Sequence, residues 1–442
     1  MQSRKASSAL TVFLVAAAFL LGAPGPLPSA DFNWRKFEGT RIRVLTGKSA
    51  FSPLTEKQIK EFQELTGITV QNEEYPAVGL RNKLLMELGA GNKDLEVYQA
   101  QWKDAYQYDT AGWAYPIDEF LKNPAMVDPG YDFSDFFPRL HAVINGRTVG
   151  IITSCNPQAL IYRKDLFEKH GVKVPTSWKE LEEAAQKLTL DTDGDGKTDV
   201  FGWIARMSEE NTATFSMFLF NNGGAWLDAN RKPVFNSPQG VEAMKFYGRL
   251  MKQFGPPGGS SFSWKEVIAS IAQGKAAMTL EVSQFALMSL ENPQSSKVVG
   301  RLGYAPFPAA AGGPAKSVLP ANMYFINARS EKKEAAWYFL QFMTRKETFL
   351  PYQIKGLPMA RRSVWEHPKA KEAVALPELT RLQFEALQNG ILDFEIPIAG
   401  FAEARPLIER AVFSAYEGGD TQKAADEAAA GVRDIMKRTE KQ

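Results

Sequence analysis

Residues 41–102 read RIRVLTGKSAFSPLTEKQIKEFQELTGITVQNEEYPAVGLRNKLLMELGAGNKDLEVYQAQW. Residues 41–45 alternate in polarity and carry β-branched side chains, which predicts a strand. After a loop over 46–52, residues 53–65 read as a helix closed by Gly67 at the C′ position, where a left-handed conformation ends helices. Residues 68–70 begin a second strand, 82–88 form a second helix ending at Gly89, and 95–98 form a third short strand. This βαβαβ order predicts an α/β fold with a parallel sheet and helices on both of its faces. In such sheets ligands bind outside the carboxyl ends of the strands. The segments predicted to carry a site are therefore 47–51 and 99–102.

Upstream, Arg4 and Lys5 precede an apolar run over 9–22, and small residues with Pro follow to Ala30. A run of about 14 residues falls short of the ~20 needed to cross a bilayer. A positive segment, a short apolar stretch and small residues read as a cleaved secretory signal peptide over 1–30. No cysteine follows the run, which disfavours a lipid anchor, so the mature chain is expected in the periplasm. The 442 residues are 44% hydrophobic and 23% charged, an ordinary globular composition with length for two or more domains. A net charge of +2 provides no field for nucleic acid or an anionic membrane. The single cysteine, Cys155, cannot form an internal disulfide, and it reads as a small apolar residue because no His lies beside it. His141, His170 and His367 are far apart and match no metal-ligand spacing.

The second half continues in the same style. Asp165 with Glu168, and Ser177 with Glu180, have capping-box spacing. Ser237-Pro238 starts a long helix, with Pro at its first position and Gly255 past its end. Residues 331–343 form an amphipathic helix with Ser330 as its N-cap. Between two of these elements lies DTDGDGKTD at 191–199. Asp191, Asp193, Asp195, Lys197 and Asp199 fall at alternate positions, and Gly196 occupies the sixth position of a calcium loop. Gly202 stands where such loops carry Glu, which lowers the coordination number. The loop is expected to hold structural calcium, or else to be an acidic turn whose Asp side chains bond their own backbone.

With these elements in place the chain resembles the extracellular solute-binding proteins of family 1, the maltose-binding-protein-like receptors of ABC importers. The stretches that carry the resemblance are FQELTGITV (62–70), AGWAYPIDEFL (111–121), LIYRKDLFEKHGVKVPTSWKELEEAAQKLT (160–189), FLFNNGGAWLD (218–228) and GKAAMTL (274–280). Their order and spacing cover nearly all of the mature chain. Two departures stand out: Pro320-Ala321-Asn322-Met323 replaces a Gly-Gly-Trp-like segment, and Ser283-Gln284-Phe285 replaces a stretch that commonly holds Trp. Both remove expected sugar-stacking aromatics. The resemblance implies a two-lobed periplasmic-binding-protein fold, each lobe a mainly parallel sheet flanked by helices, joined by a multi-segment hinge. The first lobe is expected over 31–150 plus 278–329, and the second over 151–277 plus 330–442. It also implies a monomer that captures a sugar or oligosaccharide between the lobes and delivers it to a membrane permease.

Sugar capture needs planar donors and acceptors for hydroxyls, and flat aromatic surfaces for the apolar faces of a ring. The 9 Trp, 13 Tyr and 29 Phe supply candidates. In the first lobe the candidate ligands are Lys48, Phe51, Gln99, Gln101 and Trp102, at the two predicted strand ends, with Asn322 and Tyr324 near the late ligand strand. Asn222 and Trp226 flank a Gly-Gly pair that lets backbone approach a ligand. Glu281 and Gln284 follow a strand-like segment. Relatives place Ser154 and Asn156 at the entry to the second lobe, and Arg361 in a turn facing the cleft. No G-x-S-x-G, H-E-x-x-H, P-loop or dinucleotide fingerprint occurs, so no enzyme is expected. A glycosidase built on two of the carboxylates, and a receptor for a polyol, a sugar phosphate or a peptide, are the alternatives.

Overall fold

The computed structural model describes residues 32–208 and 210–440, and the predicted signal peptide lies outside them. Among the described residues ten strands run in chain order: β1 Arg41–Gly47, β2 Thr69–Tyr75, β3 Val97–Gln101, β4 Val143–Ile144, β5 Arg147–Thr148, β6 Ile151–Cys155, β7 Gln158–Arg163, β8 Met278–Val282, β9 Leu302–Ala305 and β10 Ala321–Ile326. The first large sheet has the order β2-β1-β3-β10-β6. β1 pairs in parallel with β2 and β3, while β10 runs antiparallel to β3 and β6. The opening βαβαβ unit is present as read. The helix Ser52–Thr66 ends at Gly67, whose φ of 70° is open to glycine without side-chain strain. Its apolar residues Ile59 and Phe62 reach the sheet residues Ile42, Val44, Val97 and Tyr98 in one core.

The second sheet, β8-β7-β9, is antiparallel throughout its named strands, where a mainly parallel sheet was expected. Beside β8 parallel pairing occurs as isolated bridges, Phe201 with Ala276 and Ile204 with Thr279. Around this sheet Leu160, Leu181, Trp203, Phe218, Leu280, Phe307, Ile408 and Val432 form a separate core. The two cores set the lobe boundaries, and these differ from the expectation. Residues 278–305 belong to the second lobe, because β8 is hydrogen-bonded to β7 along its length and all of its residues are buried. The helices Lys333–Thr344 and Lys346–Ile354 pack on the first lobe. Ten consecutive residues from Ala335 to Thr344 are buried, with Trp337 stacked on Phe120.

The chain passes between the lobes at 155–158, at 318–321 and through the helix Pro377–Asn389. This last helix is shared. Leu379 and Leu382 pack in a satellite core of the second lobe, and Ala386 and Leu387 in the core of the first. The expected caps are present at Ser177 and Ser237, whose side chains accept the N–H groups of Glu180 and Gly240. Asp165 instead pairs with Arg163 at 2.6 Å. The helix expected from residue 331 begins at Lys333, and the Ser330 hydroxyl accepts the Lys332 N–H just before it. Among the described residues no helix is long and apolar enough to cross a membrane.

Candidate functional site

A cleft of about 1060 Å3 separates the lobes and is lined by both. The ends of β1 and β3 open into it, as the strand-end rule requires. Gln99 on β3 accepts the N–H of Gly47 at the end of β1 at 2.8 Å, which locks the two strand ends together. Lys48, Phe51, Gln99 and Gln101 line the first-lobe wall, with Asn322 and Tyr324 from β10. Ser154 from β6 also lines the first-lobe wall, Asn156 the hinge and Gln284 the second-lobe side.

The remaining candidates stand elsewhere. Trp102 does not line the cleft: the strand continues to Gln101 and a helix starts at Trp102, so the indole turns away from the strand end. It is 5% exposed, and its Nε1 donates to Asp393 of the second lobe at 2.8 Å. Trp226 is buried and donates to the backbone carbonyl of the same Asp393 at 3.0 Å. Asn222 donates to the carbonyl of Gln239, beside the end of its helix. Arg361 is fully enclosed in the first lobe between Tyr131 and Phe136, 4.7 and 4.2 Å from the ring centroids. There its guanidinium donates to the carbonyls of Thr344 and Asp132. Glu281 is wholly buried and makes a bidentate pair with Arg206, at 2.5 and 2.6 Å. It acts on the cleft only through Arg206, which does line it.

Several lining residues gave no signal in the sequence. Arg81 and Asp104 face each other at 3.3 Å on the first lobe. Opposite them Arg405 pairs with Glu409 at 3.0 Å and with Glu210 at 3.5 Å, and Glu210 also meets Arg206 at 3.0 Å. Burial works against the Glu210 carboxylate, but Lys103, Arg206 and Arg405 outweigh it and hold its pKa below the usual value. Burial pushes the pKa of Glu395 up, against the pull of Arg405 and Lys103. Trp264 stacks on Phe285 at 5.1 Å with an 11° tilt, and both line the second-lobe lip. The one available signal for Trp264 was Ser263 with Glu266, a capping box that places the indole in the first turn of a helix.

Outside the cleft, the carboxylates of Asp191, Asp193 and Asp195 converge within 4.8 Å on an exposed loop. Asp191 accepts the N–H groups of Gly194 and Gly196. Asp199 is engaged by Thr192, and the Lys197 ammonium lies 3.3 Å from Asp195. Cys155 is buried, and burial raises the pKa of its thiol, which leaves it unreactive.

Two α/β lobes, three crossings and an interlobe cleft lined by charged and amide side chains among apolar ones define a two-domain binding protein. A family model described as bacterial extracellular solute-binding protein matches residues 46–348, and the chain belongs to that family. The erythritol/L-threitol-binding protein of Mycolicibacterium smegmatis is 26% identical, over 72% of this chain and 70% of its own. A probable amino-acid ABC transporter periplasmic-binding protein of Sinorhizobium fredii is 24% identical, over 80% of this chain and 78% of its own. A ribitol complex of an ABC transporter solute-binding protein from Agrobacterium radiobacter superposes with a TM-score of 0.77 at 25% identity. That match covers 90% of this chain and 99% of the other.

Proposed function

We propose that this protein captures a small, neutral, hydroxyl-rich solute in its cleft, an acyclic polyol or a monosaccharide, and delivers it to the permease of an ABC importer. Export to the periplasm rests on Arg4, Lys5 and the apolar run that follows them. One observation carries the reading of the solute: buried polar atoms without partners converge on the cleft from both lobes. On one side are Nε of Arg81 and the hydroxyl of Tyr108, beside Nη2 of Arg81 and Oδ1 of Asp104, which meet only each other, as an ion pair at 3.3 Å. On the other are Oδ1 of Asn156, both amide atoms of Gln158 and Oε2 of Glu395, beside Nη2 of Arg405, which has only the Glu210 carboxylate at 3.5 Å. Buried polar groups are ordinarily satisfied, so this mixture of donors and acceptors calls for a solute that answers both. A hydroxyl does so with a single group.

The charges favour a neutral solute over an ionic one. Arg81 faces Asp104, Arg206 is held by Glu281, and Arg405 by Glu409, so the guanidinium groups already have carboxylate partners. A solute gripped by Arg81 and Asp104 on one lobe and by Gln158 and Arg405 on the other favours the docked arrangement by its differential affinity for it. The family and the relatives named above are binding proteins, in keeping with capture and release without turnover.

Calorimetric titration with erythritol, ribitol, glucose and glutamine tests the reading. Binding of a polyol or the hexose, with the solute recovered unchanged, is the expected result. Binding of glutamine alone would overturn it and favour an amino-acid receptor; product formation would favour a carbohydrate-active enzyme.

A further inference from the structure

A second cavity of about 250 Å3 lies at the hinge. The wall between it and the cleft is one strand thick, because the chain there alternates. Asn156 faces the cleft and Pro157 the cavity. Val282 and Gln284 face the cleft, and Ser283 the cavity. That is the two-residue period of extended chain. Gln158 lines both spaces. It is 4% exposed, and neither Oε1 nor Nε2 has a partner. Beside it Gln383 donates to the Ser283 hydroxyl at 3.0 Å, so that pair does not answer the Gln158 amide. The Gln158 amide is thus a buried donor and acceptor shared between two spaces, to be answered by what occupies them.

The cavity is also placed to sense the lobes. Its walls come from two of the crossings, at Pro157 and Gln158 and along the helix Pro377–Asn389, and from Lys316 and Ser317 just before the third. That helix is held by both cores, through Leu379 and Leu382 at one end and Ala386 and Leu387 at the other. A rotation of one lobe against the other shifts the helix relative to at least one other wall. Occupation of the cavity and closure of the cleft therefore share a free energy.

We infer that the hinge cavity is a second small-molecule site, taking a short neutral alcohol whose hydroxyl bonds one end of the Gln158 amide, and that its occupation strengthens solute binding in the cleft. The hydroxyl suits either end of the amide, and a short alkyl group suits the walls formed by Pro306, Phe307, Leu379 and Leu382. The sign follows from the amide. Once one end is pinned its rotamer is fixed, and the other end meets the cleft solute already ordered, which lowers the ordering cost of the second binding event. The coupling rests on the reading of the cleft as a solute site; the existence of the cavity site does not.

The probe is 2-propanol at tens of millimolar, added to the full mature chain. Saturation-transfer NMR should show the probe bound to the wild type and not to Ala386→Met, whose longer side chain extends into the cavity. Ribitol affinity, read by calorimetry, should rise on the order of fivefold with the probe and should no longer respond in Ala386→Met. If that variant melts well below the wild type, Ala305→Leu blocks the same cavity from β9. Transfer that is absent in the wild type, or equal in the filled variant, overturns the site and leaves ordered water as the partner of Gln158. Probe binding without a change in ribitol affinity overturns the coupling. If none of ribitol, erythritol and glucose binds, the cleft reading fails, while the NMR comparison still decides the cavity; if ribitol alone fails, the coupling is read with the polyol or hexose that binds.

Discussion

Trp102→Phe isolates the bond that fastens one edge of the cleft. The indole Nε1 reaches across the lobes to Asp393 at 2.8 Å. Beside it the Arg231 guanidinium lies 5.4 Å from the ring centroid of Tyr106, also across the lobes. Burial raises the pKa of Asp393, opposed by the Trp102 hydrogen bond and by Arg231, so the carboxylate depends on few partners. Phe keeps most of the ring volume and removes only the donor. A hydrogen bond to a charged group contributes roughly 1.5–3 kcal/mol. This one exists only while the lobes are docked, so its loss acts on the docked population. The apparent affinity then falls by that factor, since apparent Kd scales inversely with the competent fraction. Taking about 2 kcal/mol gives a loss on the order of 30-fold. Titration calorimetry with ribitol reads the affinity, and small-angle scattering reads the compactness of the apoprotein. Wild-type affinity together with an unchanged radius of gyration would refute the reasoning and leave Trp102 as a packing residue alone. Trp102→Ala is less informative, because removing a core Trp costs a further ~3–5 kcal/mol through the cavity it leaves.

Other consequences are open to direct measurement. Glu281→Gln leaves the buried Arg206 guanidinium with Glu210 as its remaining carboxylate and should lower stability in urea by about 1–3 kcal/mol; an unchanged stability would show that Glu210 alone suffices for Arg206. Hydrogen bonding to Arg43 holds Glu87 down at about 2, against an ordinary 4.5. Its stabilisation is complete above pH 4.5 and is lost as the pH falls towards 2. After allowance for solvent screening it is on the order of 1–2 kcal/mol. Arg43→Met should flatten that stretch of the stability profile, and an unchanged slope would assign acid sensitivity to other carboxylates. Calcium at millimolar concentration should raise the melting temperature over chelator, and Asp193→Asn should abolish the difference. Equal melting in both conditions would leave the loop as a turn held by Asp191 and the N–H groups of Gly194 and Gly196.

What could be read from the sequence was local. The period-two run in β1, the helix after it and the glycine at its end are decided by neighbouring residues, and from them the strand-end rule reached Lys48, Phe51, Gln99 and Gln101. Trp102 was missed by a single residue: β3 runs three residues beyond the predicted strand, and the first turn of a helix re-aims the side chain. Arg361 and Glu281 were misplaced because their partners are distant in the chain. The rings of Tyr131 and Phe136 enclose the first, and Arg206 neutralises the second, 75 residues away. Non-local pairing also moved the lobe boundary. Nothing within 278–282 states that it pairs with 158–162, and nothing in the helix Lys333–Thr344 states which core its apolar faces meet. Arg81 pairs with Asp104 on the first lobe, and Arg405 with Glu210 and Glu409 on the second; the two groups face one cleft only after the lobes assemble. Read one at a time in the chain, they are ordinary charged residues.

The central claim is that one hydroxyl-rich solute satisfies the unpartnered groups of both lobes at once, and a high-resolution crystal structure of the protein with ribitol or erythritol tests it most directly. Solute oxygens are expected within about 2.6–3.2 Å of Arg81 or Asp104 on the first lobe and, in the same molecule, of Gln158 or Arg405 on the second. A solute bound to one lobe alone, or seated outside the cleft with those atoms paired to water, would contradict it.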